Sequence, residues 1–185
     1  MSTLTVQNLR GVTPTNLITV ASGHKVYAPG HVVQVQSTTK TDTWTASMAA
    51  GTWTDVTGLS ASITPMYSTS KILVFGTMYG NGTATVTQIY FRIMRDSTPI
   101  GIGDAAGSRY RYTGRGYYES GNLFVSLPFS TIDSPASTST ITYKIQATTE
   151  ATSSLYVNRT QTDTDNTALY FGRAASNITV MEIAQ

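Results

Sequence analysis

Apolar positions along this chain recur with period two. In the run Ser139 to Ala147, the residues Ile141, Tyr143, Ile145 and Ala147 share one face, while Thr140, Thr142, Lys144 and Gln146 share the other. That alternation predicts a strand with one buried side and one wet side. Thr85 to Arg95 repeats it through Ile89, Phe91 and Ile93, as do Leu123, Val125, Leu127 and Phe129, and Leu59, Ala61 and Ile63. Most of these residues are β-branched or aromatic, which suits a pleated, half-buried surface. No stretch carries a helical period. One segment differs, because Ile72, Leu73, Val74, Phe75, Met78 and Tyr79 are apolar on both faces. Such a strand is central in its sheet, or it lines a subunit interface.

Turn formers stand between the strands: Gly80-Asn81-Gly82, Asp96-Ser97-Thr98-Pro99, Ser120-Gly121-Asn122 and Asp133-Ser134-Pro135. Roughly eight short strands punctuated in this way predict an all-β chain, an antiparallel β-sandwich of jelly-roll-like kind, over residues 31–185. Residues 1–30 read as an extended N-terminal arm. Its apolar residues Leu4, Val6, Leu9, Val12, Leu17, Ile18 and Val20 are too few, and too broken by Gly11, Pro14 and Gly23, to close a core alone. The arm is expected to anchor on its own sandwich, on neighbouring subunits or on a larger body.

Composition sharpens this picture. Charged residues are 12% of the 185 positions, about half the ~25% of an ordinary soluble domain. The surface is supplied instead by 33 Thr and 19 Ser. Twelve Lys and Arg against ten Asp and Glu give a net charge of +2, too weak a field to predict binding to duplex nucleic acid. The absence of Cys removes disulfides, thiolate metal sites and thiol nucleophiles. No apolar run is long enough to predict membrane insertion, and the opening MSTLTVQNLR lacks the pattern of a signal peptide.

Catalytic chemistry finds little to stand on. The two His, His24 and His31, sit in or beside the arm, where bonding to nearby backbone is the favoured reading over a Ser-His-Asp triad. Most carboxylates adjoin turn residues, so a glycosidase acid pair is not predicted. Asp163-Thr164-Asp165-Asn166 has the start of a calcium loop but not its later Gly and Glu, which leaves Asp163 and Asp165 as weak cation candidates and no metal site as the expectation. Three N-x-S/T triplets, at Asn81, Asn158 and Asn177, are about what this hydroxyl-rich composition yields by chance. No phosphate-binding glycine motif occurs, and no cofactor is expected.

The compositional anomaly is GSRYRYTGRGYYESG, where Arg109, Arg111 and Arg115 interleave with Tyr110, Tyr112, Tyr117 and Tyr118. Tyr rings stack on sugars or bases, and Arg forks bind carboxylates, sulfates or phosphates, so an anionic surface glycan suits the segment. A single-stranded nucleic acid would be read by the same groups. The same residue types are also enriched at subunit interfaces. These seven residues are therefore expected to bind a ligand or to line an interface.

Read together, SKILVFGTMYG, IYFRIMRDSTPIGIGDAAGSR, ITYKIQA, YVNRTQTDTDN and NITVMEIAQ resemble a family of domains in bacteriophage virion proteins. These are the C-terminal β-sandwich domains of tail-fibre and structural proteins of marine and cyanobacterial phages. The resemblance covers most of residues 31–185, and Phe91 to Arg109 is its most specific part. It implies a homotrimeric, non-enzymatic sandwich projecting from a particle, placed at the virion surface and made in the host cytoplasm. The absence of shaft repeats or coiled-coil heptads fits a short fibre, head fibre or decoration knob better than a complete long tail fibre. The arm would then dock on another virion protein, a capsid subunit or a tail or fibre adaptor, while the head touches host surface polysaccharide. Two other readings stand beside this one: a capsid cement protein with no host ligand, and a polysaccharide-degrading surface enzyme.

Overall fold

The computed structural model describes residues 28–83, 88–118 and 122–185. The arm positions Leu4, Val6, Leu9, Val12, Leu17, Ile18 and Val20, and with them His24, lie outside the described residues. So do Thr85, Val86 and Thr87 of the sequence-predicted strand ending at Arg95.

The described chain forms eleven strands: β1 (Val32–Lys40), β2 (Trp44–Met48), β3 (Thr54–Ile63), β4 (Lys71–Gly82), β5 (Gln88–Arg95), β6 (Thr98–Ile100), β7 (Gly114–Tyr117), β8 (Val125–Asp133), β9 (Ile141–Thr149), β10 (Ser153–Val157) and β11 (Ser176–Ile183). All the pairings are antiparallel. Six strands make one sheet, in which β4 has β8 along one edge and β11 followed by β10 along the other, with β1 and β2 outermost. Five make the second sheet, where β5 lies between β9 and the short strands β6 and β7, and β3 flanks β9. The chain changes sheet at most connections, giving the jelly-roll-like antiparallel sandwich that the alternation predicts.

The core lies between the sheets, where the inward positions meet. Ile89, Phe91 and Ile93 of β5 and Ile141, Tyr143, Ile145 and Ala147 of β9 are all buried, facing Ile72, Val74 and Met78 of β4 and Ile178 and Val180 of β11. Burial of side chains of this size contributes about 1.5–3 kcal/mol each. Strand β4 is central in its sheet, as its two apolar faces require: Ile72, Val74 and Met78 are buried, and Leu73, Phe75 and Tyr79 on the other face are half-buried.

Two local expectations need correction, and one strand carries an irregularity that the alternation does not show. Gly80-Asn81-Gly82 is not a turn but the end of β4, paired with β10. The glycines serve close packing, since a Cβ on Gly80 would meet Ile89 Cδ1 at 3.1 Å and one on Gly82 would collide with the Tyr118 hydroxyl. Leu123 precedes β8 and is exposed instead of sharing the buried face of Leu127 and Phe129. Strand β3 carries a bulge between Asp55 and Ser60, with Gly58 at φ +83°, so that both Val56 and Leu59 point inward.

Buried polar groups are tied into this frame. Glu182 has no exposed surface, yet its Oε1 accepts from the amides of Met66 and Tyr67 and the Ser70 hydroxyl, and its Oε2 accepts from Gln34 Nε2 at 2.6 Å. Burial works to raise the pKa of this carboxyl, but the hydrogen bonds outweigh it and hold the group below its ordinary value. Asn158, also fully buried, donates to the carbonyls of Lys40 and Asp42 and accepts from Ser176. Its burial, and that of Asn81, removes two of the three N-x-S/T triplets from the surface.

Candidate functional site

The outward face of the five-stranded sheet bears the candidate site. On β5 the residues between the buried Ile89, Phe91 and Ile93 point outward, and Tyr90 pairs with Thr148 of β9. Thr54 pairs with Ala147, so Trp53, one residue earlier, lies level with Thr148. This row of Trp53, Thr148 and Tyr90 forms the floor of a cavity of about 450 Å³, within the ~300–1,000 Å³ typical of small-ligand sites.

The connection between β6 and β7, residues 101–113, folds over that floor and supplies Arg109, Tyr110 and Tyr112 to the wall. It is pinned at its end, where the Thr113 amide donates to Phe91 O at 2.9 Å and the Thr113 hydroxyl accepts from the Ile93 amide. Tyr112 packs on Tyr90 with ring centroids 5.1 Å apart. The β2–β3 connection contributes Ala50 and Gly51 to the lining, and the β9–β10 turn contributes Glu150. Gly51 is needed there twice over: its φ of +69° is left-handed, and a Cβ would sit 2.5 Å from the Tyr110 hydroxyl.

Trp53 is held from beside the cavity. The Arg92 guanidinium lies 4.4 Å from its ring centroid, and Arg92 donates through Nε and Nη2 to Gln146 Oε1. Gln146 in turn donates to Asp55, which also takes Lys144 Nζ at 2.6 Å. Burial works to raise the Asp55 pKa, but the bonds from Lys144 and Gln146 prevail and lower it. The indole is thus positioned by a network of fixed donors and acceptors.

Polar groups in the cavity are few. Thr148 is 4% exposed, and its hydroxyl oxygen has no hydrogen-bond partner among the described residues. Leaving such a group unmatched costs about 1–3 kcal/mol, a cost that a ligand hydroxyl would remove. Among the described residues that line the cavity, Glu150 is the only carboxylate and there is no His.

The Arg/Tyr segment divides. Arg109, Tyr110 and Tyr112 come together at the cavity. Arg111 points away and donates to Gly103 O at 2.6 Å, Arg115 donates to Gln88 Oε1, and Tyr117 is exposed. Tyr118 is a core residue, 2% exposed, with its hydroxyl donating to Thr83 O and its pKa pushed up to about 12 by burial. That burial takes it out of any ligand or subunit surface. Trp53, Tyr90, Thr148 and Glu150 are absent from the sequence-derived set. Tyr90 had a readable signal, as an aromatic on the polar face of an alternating strand.

The remaining candidates are placed elsewhere. Asp163 lies between two guanidinium groups, 2.6 Å from Arg173 and 3.4 Å from Arg159, and so is already matched in charge; Asp165 is exposed. His31 Nδ1 lies 2.5 Å from Ala28 O, the local backbone contact expected of it.

Neither a protein-family model nor a curated protein matches the sequence. Among solved structures, the chain is similar in fold to chains of infectious bursal disease virus particles. For T=1 particles derived from that virus the identity is 13% and the TM-score 0.44, covering 91% of this chain and 41% of the viral one. For its VP2 subviral particle the values are 13%, 0.43, 91% and 43%. The chain therefore spans about two fifths of the length of those viral chains. At these scores the likeness is a matter of fold and carries no conclusion about activity or assembly.

Proposed function

We propose that this chain is a non-enzymatic bacteriophage virion surface protein, a homotrimeric short fibre, head fibre or decoration knob, held to the particle by residues 1–30 and presenting its sandwich to host-surface glycan. The aromatic-lined cavity carries the reading. Four aromatic side chains, Trp53, Tyr90, Tyr110 and Tyr112, meet there around one Arg, one Glu and an unmatched Thr hydroxyl. Flat apolar rings with a few convergent polar groups suit a saccharide, whose C–H faces stack and whose hydroxyls both donate and accept. The sequence resemblance supports the virion setting.

Self-association is supported by the outer face of the six-stranded sheet. Val35, Met181, Leu73 and Ile132 stand in register across β1, β11, β4 and β8, and Val35 and Ile132 are exposed. An unbroken apolar row of this kind favours burial against a second copy, and several copies around one axis would multiply weak glycan contacts by avidity. Particles lacking the protein test the reading. Loss of adsorption to host cells is expected. Normal adsorption combined with bursting on heating or osmotic shock would overturn it in favour of a cement role.

A further inference from the structure

We infer that the cavity takes a neutral pyranose with free hydroxyls, and not an acidic sugar. The inference rests on the glycan-binding reading above and specifies its ligand. An acidic saccharide would suit the Arg/Tyr segment taken alone. The fold, however, brings Glu150 from the β9–β10 turn to the same cavity as Arg109. Among the described lining residues one cation stands with one anion, and the Glu150 carboxylate repels a uronate or sialate carboxylate. A neutral sugar matches both groups, since its hydroxyls donate to Glu150 and accept from Arg109. The Thr148 hydroxyl, buried and unmatched, is a third group of the kind that pairs with a sugar hydroxyl. Thr149 is not available for this, because its hydroxyl donates to Ala151 O at 2.9 Å. The stacking surface is already fixed, with Trp53 held by Arg92 and Tyr112 packed on Tyr90, so little ordering is required on binding.

Titration calorimetry of the full chain against two probe sets tests this: neutral gluco-, manno- and galacto-oligosaccharides, and the same chains ending in glucuronate or N-acetylneuraminate. Saturable binding of a neutral member is expected, with affinity reduced at least about tenfold by Trp53→Ala and by Tyr112→Ala. Glu150→Gln is the discriminating variant, because it weakens binding of a neutral sugar and strengthens binding of an acidic one. Preference of the parent chain for the acid-terminated probes, or an affinity for neutral probes unchanged by Glu150→Gln, would overturn the inference while leaving the glycan reading intact. No binding in either set, by a chain whose circular dichroism and melting show it folded, would overturn both.

Discussion

Tyr143 donates its hydroxyl to Asp133 Oδ2 across 2.7 Å, and this bond joins the two sheets, since Tyr143 lies on β9 and Asp133 ends β8. Arg95 of β5 completes the site with Nη1 at 2.9 and 3.0 Å from the two carboxylate oxygens. The Tyr143 pKa is raised, chiefly by burial and then by its bond to Asp133. Removing the hydroxyl with Tyr143→Phe leaves the ring in the core and is expected to cost about 1–3 kcal/mol. Asp133→Ala strands Arg95 as well and is expected to cost more, about 3–5 kcal/mol. Urea denaturation midpoints at neutral pH check both values and their order.

Glu182 makes stability depend on acid in a definite direction. Its folded pKa lies below the ordinary 4.5, so the contribution is fully present above that value and lost as pH falls through the folded one. Glu182→Gln is expected to be less stable at neutral pH, because an amide cannot accept from Gln34, Ser70 and two backbone amides together. The variant's stability should also fall less steeply than the parent's between about pH 5 and 3. Denaturation midpoints measured across that range for both chains provide the check.

Gly51 connects backbone conformation to the cavity. Gly51→Ala places a side chain at φ +69° against the Tyr110 hydroxyl, with a backbone cost of about 1–2 kcal/mol. The expected result is a modest fall in melting temperature and a larger fall in saccharide affinity, read by calorimetry on the same sample. An affinity unchanged by the substitution would show that Tyr110 is no part of the binding wall.

The apolar row across the six-stranded sheet predicts the effect of a charge placed in it. Ile132 is 60% exposed, so Ile132→Lys should leave the fold and its melting within about 0.5 kcal/mol of the parent in a single copy. Light scattering coupled to size exclusion is expected to report a trimer for the parent and a monomer for Val35→Lys plus Ile132→Lys. A monomeric parent would remove the self-association part of the proposal.

The strands were readable because alternation is a local property. On β5 and β9 each residue's face follows from its own position and its neighbours'. Gly80-Asn81-Gly82 reads as a turn because glycine signals both a turn and a close approach of packed chains, and only the positions of Ile89 and Tyr118 show which applies. The bulge in β3 was hidden for a related reason, since Val56 and Leu59 are both buried but out of phase. For the site, Arg109, Tyr110 and Tyr112 could be found because they are close in sequence. Trp53, Tyr90 and the neighbouring Thr148 and Glu150 come from three separate segments and meet only through the pairing of β9 with β3 and β5, a register that one chain's pattern does not specify. The role of Asp133 was masked likewise by its turn-like neighbours Ser134 and Pro135.

Adsorption by intact particles carrying Trp53→Ala plus Tyr112→Ala in this chain tests the central claim most directly, with incorporation of the variant checked by immunoblot on purified particles. A fall in host-cell binding of at least about tenfold at unchanged incorporation is expected. Adsorption equal to that of the parent particles, with the variant fully incorporated, would contradict the claim that this cavity grips the host surface.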